Sequence, residues 1–319
     1  MPKPISVIIS SLRPDRLEAT IDNISSESDL VEVVVASVHA PKPRDFVIHV
    51  PVPAPGQANE LTFTQKYNLA CAQAGGEYIV YNNDDLHFTP GWSRPLIEHM
   101  QKVSVHPYVA AFQIATKGEI IARHTIFGLL YANHGCIRKR DLELVGGQLL
   151  DERIYMYYSE LDLALRVWSA GGKIAICDPV VMHADRDVDQ VAVPKILKEK
   201  SNYGQRKPQT YRDLWYRHDT RVFFRLWFFK YFGLFWKHYP RLKELFSSTD
   251  GVLPPQKQKS PLWQMMFLPV INLFINPKRW FVVHHKIDFV LDHWVRLTNR
   301  RWGALNYQLP YDANAVELT

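Results

Sequence analysis

Cysteine is scarce: three residues in 319, Cys71, Cys136 and Cys177, widely spaced and odd in number. That spacing excludes a disulfide framework and a cysteine-based zinc knuckle, so a reducing, cytosolic compartment is expected. Long apolar runs are missing too. The longest, Leu262 to Ile275, has about 14 residues and includes Gln264, Pro269 and Asn272, short of the roughly 18 to 20 that a membrane span requires. It suits a segment lying in a membrane interface or dipping into it. No secretory leader is read at the start, where Met1-Pro2-Lys3-Pro4 passes directly into Ile5-Ser6-Val7-Ile8-Ile9. Internal repeats and low-complexity tracts are absent, and a content of 47% hydrophobic residues excludes collagenous and disordered classes.

What is present divides in two. Residues 1 to 189 hold 17 Lys+Arg against 23 Asp+Glu, net −6, whereas residues 190 to 319 hold 21 against 9, net +12. Opposite charge predicts two physical jobs and a boundary near 190.

The first part alternates short strands with amphipathic helices. Strands are expected at Ile5 to Ile9, Val31 to Ala36, Phe46 to Val50 and Glu77 to Asn82, with helices at Asp15 to Ile24 and Asn59 to Ala74. Less regular strands follow at Tyr108 to Ile114 and Glu119 to Arg123. A helix over 159 to 170 then places Leu161, Leu165 and Trp168 on one face, before strands Lys173 to Cys177 and Val180 to Met182. This alternation predicts an α/β domain over residues 1–190, with a mainly parallel sheet flanked by helices.

The chemistry concentrates at strand and helix ends. Tyr78-Ile79-Val80-Tyr81 runs into Asn82-Asn83-Asp84-Asp85, a strand delivering oxygen ligands of the kind that hold a hard divalent cation and its phosphates. The same residue types also make ordinary turns. A second carboxylate group, Ser159-Glu160-Leu161-Asp162, lies roughly 75 residues downstream. Ser159 and Asp162 could form a capping box, and Glu160 could equally be a positioned general base. His183, in Val180-Val181-Met182-His183-Ala184-Asp185, is either a structural hydrogen-bonding residue or a metal ligand.

The ordered set Ile5 to Ser11, Lys66-Tyr67-Asn68-Leu69-Ala70, Tyr81 to Asp84, Pro90-Gly91-Trp92, Val145-Gly146-Gly147 and Glu160 to Arg166 resembles the family 2 glycosyltransferases of GT-A fold, over residues 4 to 185. The resemblance implies inverting transfer of a sugar from a nucleotide diphosphate donor to a saccharide acceptor, assisted by Mn2+ or Mg2+. It gives Asp84 and His183 to the metal, Glu160 to the base, and Ser10, Arg13, Asn68, Asn82, Asn83 and Asp85 to the donor. His134, Gly147 and Asp162 fall to the acceptor. Two departures stand out: the family's Glu-Asp pair reads Ser159-Glu160, and Ala36-Ser37 replaces the acid that reads the nucleobase in many relatives. Other readings are a nucleotidyltransferase and a catalytically degenerate membrane-bound scaffold. Against the first, Ser10-Ser11-Leu12-Arg13-Pro14 is not a glycine-rich phosphate loop.

Residues 191–319 read as a basic, aromatic-rich helical region. Blocks such as Val222-Phe223-Phe224-Arg225-Leu226-Trp227-Phe228-Phe229-Lys230 mix aromatics with cations. One reading is a helical subdomain with a Phe and Trp core. The other is peripheral attachment to an anionic membrane on the cytoplasmic face, which favours a lipid-linked acceptor. Consecutive aromatic blocks are unlike the spaced platforms that stack nucleic acid bases, so nucleic acid is not expected as a partner.

Overall fold

A computed structural model describes residues 2–184 except 56, 58, 117–118, 122–123 and 127–128, nine helical residues between 215 and 230, and a strand at Gln308–Pro310. The rest of the basic region, including Leu262 to Ile275, lies outside the described residues.

Twelve strands and four α-helices are described. The first strands are β1 (Ile5–Ser11), β2 (Val31–Ser37), β3 (Val47–Pro51) and β4 (Tyr78–Asn82), with α1 (Pro14–Ile24) after β1 and α2 (Phe63–Gln73) before β4. Next come β5 (Leu86–Phe88), α3 (Ser93–Lys102), β6 (Tyr108–Thr116), β7 (Glu119–Ile121), β8 (His124–Ile126), β9 (Leu129–Tyr131) and β10 (Gly135–Arg138). The described set closes with α4 (Ser159–Ser169), β11 (Lys173–Ala184) and β12 (Gln308–Pro310).

The sheet is mixed. β3, β2, β1 and β4 run parallel in that spatial order, and β10 is antiparallel to both β4 and β6. β11 runs parallel to β6 along its other edge and carries β5 antiparallel beyond it. The two strands expected at 173–177 and 180–182 are one strand, irregular between Ile176 and Val181. The chain steps from β1 outward to β3, then returns to the opposite side of β1 as β4. That reversal makes the carboxyl ends of β1 and β4 a topological switch point, the place where ligands bind in open α/β sheets.

Period-two alternation feeds two cores, one on each face. Ile8 joins Val34, Ile79 and the apolar sides of α2 and α4, while Val7 and Ile9 join Val33, Val80, Leu17 of α1 and Leu96 of α3. The helix expected from Asn59 begins only at Phe63. Thr62 is its N-cap, accepting from Gln65 N at 3.3 Å while its own N–H donates to Gln65 Oε1 at 2.9 Å, a reciprocal capping box.

The aromatic region supplies part of the first core. Phe223 and Trp227 are buried in the cluster that holds Leu161, Leu165 and Trp168. Phe223 and Trp227 thus pack with α4 into the core of the α/β domain, not into a core of their own region.

Candidate active site

The donor side is built from the turns after β1 and β4. Ser11, the last residue of β1, is buried and donates its hydroxyl to Asp84 Oδ2 at 2.5 Å, while receiving the backbone N–H of Arg13 at 2.9 Å. Arg13 bridges the two turns: its Nε donates to Asp84 Oδ2 at 3.0 Å, one Nη to Asp84 Oδ1, and the same Nη to Asp85 Oδ2 at 3.2 Å. Burial would lower the Arg13 pKa, but its bonds to Asp84 and Asp85 and their charge raise it above the ordinary value. The Arg13 side chain nonetheless remains 42% exposed. Ser11 was not among the residues expected here; one turn hydroxyl reads like any other until the second strand end is brought against it.

Tyr67 on α2 is the hinge of the arrangement. Its phenol donates to the Asn82 carbonyl at 2.5 Å and to Asn83 Oδ1 at 3.0 Å, fixing the turn that carries Asp84. Burial raises its pKa well above the usual tyrosine value, and the carboxylates of Glu160, Asp84 and Asp85 raise it further. One buried phenol therefore lies in the field of both carboxylate groups, which the sequence separates by 76 residues between Asp84 and Glu160.

The base side belongs to the start of α4. The expected capping box is not formed: Tyr158, in the left-handed region at φ 68°, is the N-cap, and no side-chain cap bond is made. Ser159 donates instead to the Met156 carbonyl at 2.9 Å and to Glu160 Oε2 at 3.0 Å. Glu160 is partly exposed, and its pKa is raised by burial, only partly offset by its own backbone N–H and the Ser159 hydroxyl. Burial and then the Glu160 carboxylate also raise the phenols of Tyr81 and Tyr131. Three tyrosine phenols thus have their pKa raised by the Glu160 carboxylate, which has no cationic partner among the described residues.

Other expected site residues have different placements. Asp162 is buried and filled, accepting from Arg166 Nε at 2.7 Å and from Trp227 Nε1 at 2.8 Å. Arg166 in turn donates to the carbonyls of Val145, Gln148 and Leu149 at 2.6, 3.0 and 2.7 Å. Through Arg166, Asp162 therefore anchors the 145–149 loop, with both of its oxygens engaged inside the protein. Asn68 holds the same loop further on, exchanging bonds with Leu150 N and O at 3.0 and 2.8 Å and donating to Glu152 at 3.0 Å. Gly147 is in that loop at φ +78°, and His134 is buried just before β10. Ser10 is the one half-buried residue of β1, and its backbone bonds Tyr67.

Oxygen donors suited to a hard cation do meet at the end of β4: two carboxylates and Asn82 Oδ1, which is buried without a hydrogen-bond partner. Yet Arg13 already engages both carboxylates, and His183 bonds Thr89 Oγ1 through Nε2 at 3.1 Å. Among the described residues no group of three His, Cys, Asp or Glu side chains could hold a metal ion. His183 is thus not brought to Asp84 and Asp85 as a third ligand. The cysteines offer no nucleophile; burial pushes Cys71 up to about 11 and Cys177 up to about 12.

No protein-family model matches the chain, and no curated protein is similar to it in sequence. Among solved structures, one match is a crystal structure of GalNAc-T7 with UDP, GalNAc and Mn2+, at 13% identity and a TM-score of 0.45. The match covers 58% of this chain and 44% of that one, so the chain spans less than half of that protein's length.

Proposed function

We propose that the chain is a glycosyltransferase that moves a sugar from a nucleotide diphosphate donor to a hydroxyl of a saccharide acceptor, with inversion. The observation that carries this reading is Tyr67, whose phenol bonds the turn that bears Asp84 and whose pKa is raised by the carboxylates of Glu160, Asp84 and Asp85 as well as by burial. The turn then binds the donor, and Glu160 serves as the base of the same site.

In this reading the acceptor oxygen attacks the anomeric carbon as the bond to the diphosphate oxygen breaks, and Glu160 takes the hydroxyl proton. Its raised pKa brings a carboxylate closer to the pH at which it works, which improves a general base. Arg13, anchored by Asp84 and Asp85 and still partly exposed, places positive charge where the diphosphate develops negative charge. When bound, Mn2+ or Mg2+ supplies further neutralisation of that leaving group, and Asp84 and Asp85 are the residues that would hold it.

Peripheral attachment to an anionic leaflet, and with it a lipid-linked acceptor, rests on the aromatic and basic residues beyond 230. No described helix is long and apolar enough to cross a membrane. Co-sedimentation with anionic liposomes at moderate salt is the expected outcome, and absence of binding would remove this part.

The test of the enzyme is a panel of UDP-, GDP- and dTDP-sugars, with and without Mn2+, read by thermal shift and by release of nucleotide diphosphate. One donor should raise the melting temperature and be slowly hydrolysed. A chain that binds a donor without turning it over would be the scaffold instead, a reading that the Arg13 clasp on Asp84 favours. Release of pyrophosphate would point to a nucleotidyltransferase.

A further inference from the structure

Glu160 sits between two anchors supplied by a helix some 60 residues away in the sequence. Asp219, fully buried, accepts three successive backbone N–H groups, from Tyr155 at 2.8 Å, Met156 at 2.9 Å and Tyr157 at 2.8 Å. Such a run of N–H groups is an anion-binding concavity, and here the anion belongs to the chain. One turn further, Phe223 stacks on Tyr158 with centroids 5.0 Å apart, and another turn on, Trp227 donates to Asp162 Oδ1 at 2.8 Å. Positions 219, 223 and 227 share one helical face and meet residues 155–158 and 162 in order. His218 adds a stack on Tyr155 at 3.8 Å.

The consequence is local to Glu160. Tyr158 holds a left-handed backbone that a tyrosine adopts at a cost, and α4 starts without a side-chain cap. What holds the turn before that start is the Asp219 carboxylate, and what holds the turn after Glu160 is Trp227.

We infer that Asp219 is a positioning residue: through the N–H groups of 155–157 it sets the backbone that aims Glu160, so the helical residues Asp219, Phe223 and Trp227 are part of the active site and not an appendage to it. This rests on Glu160 being the base. Its tests separate the two ideas, because backbone protection is read without any substrate.

In the 319-residue chain, Asp219→Ala should lower kcat by about 10²-fold, the scale of a misaimed catalytic group, while donor affinity by calorimetry stays within about twofold. Asp219→Asn should lose about tenfold, because its amide group turns a donor toward one of the three N–H groups. The acid limb of its pH–rate profile should move to lower pH as water reaches Glu160. Arg225→Ala, on the exposed face, should leave all of these unchanged. If Asp219→Ala does not fold, Trp227→Phe keeps an aromatic side chain but removes the bond to Asp162 and part of the packed volume, and kcat should fall several-fold. By hydrogen exchange, amides 155–160 should lose protection in Asp219→Asn while β1 and β4 keep theirs. Unchanged protection there, or kcat within twofold of wild type in folded Asp219→Ala, would overturn the inference. A wild-type chain that turns over no nucleotide sugar would instead overturn the transferase reading, with the exchange result still deciding the clamp.

Discussion

Asp84 and Asp85, at the end of β4, share the guanidinium of Arg13, whereas Glu160, at the start of α4, acts on nearby phenols and, among the described residues, accepts only a neighbouring hydroxyl and its own N–H. The first pair is charge-compensated by a side chain that still reaches solvent. The second is a single carboxylate whose burial works against its ionised form. Compensated acids suit the holding of charged ligands, and an uncompensated acid suits the taking up of a proton. Two carboxylate groups of similar composition are thus given different work by their surroundings, and Tyr67 ties the two surroundings together.

The comparison breaks most sharply on the donor side. Asp84→Ala strands Arg13 and frees Ser11, so donor affinity should fall about 10²-fold or more, the scale of losing one partner of a hydrogen-bonded charge pair. Calorimetric titration with the donor found in the sugar panel checks this. Unchanged affinity would separate Asp84 from donor binding.

A weaker effect separates the base side by pH. Because burial raises the Glu160 pKa, turnover at saturating donor should climb about tenfold per pH unit on the acid limb and level off above the raised pKa. An acid limb at or below the ordinary glutamate range would contradict it. The stability that follows the same group has the opposite sense: it is full below the unfolded pKa and declines as pH rises through the raised folded one.

Smaller again is the expected effect on cation binding. Arg13→Ala uncovers both carboxylates, so Mn2+ affinity without donor, measured by electron paramagnetic resonance, should tighten several-fold from lost like-charge competition. No change would mean that Arg13 and the cation do not share Asp84 and Asp85. The smallest effect concerns the helix that carries Tyr67. Thr62→Ala removes the capping box of α2 and should cost about 1 kcal/mol in denaturant unfolding, with donor affinity unchanged.

Much of this architecture was readable from residue order. Alternating apolar runs gave β1, β2, β3 and β4, and amphipathic periodicity gave α1 and α4, because each element carries its own burial pattern. Asp84 and Glu160 were identifiable as polar groups at element ends. What stayed hidden depends on long-range meeting. Ser11 and Asp84 are 73 positions apart, and Asp162 reads as a site acid until Arg166 and Trp227 are seen to fill it. α3 was missed because its apolar positions, Leu96 and Met100 among them, are interrupted by Pro95 and flanked by a proline-glycine turn. Asp219 was missed for a different reason. In a basic, aromatic stretch a single acid is inconspicuous, although its four-residue spacing to Phe223 and Trp227 is the signal of a buried helical face.

The central claim is that Glu160 takes the acceptor proton at a site whose donor contacts lie elsewhere. Single-turnover transfer at saturating donor, compared between wild type and Glu160→Gln, tests it most directly. The account predicts a loss of about 10² or more in rate with donor affinity preserved. Equal rates, or a loss confined to donor affinity, would contradict it.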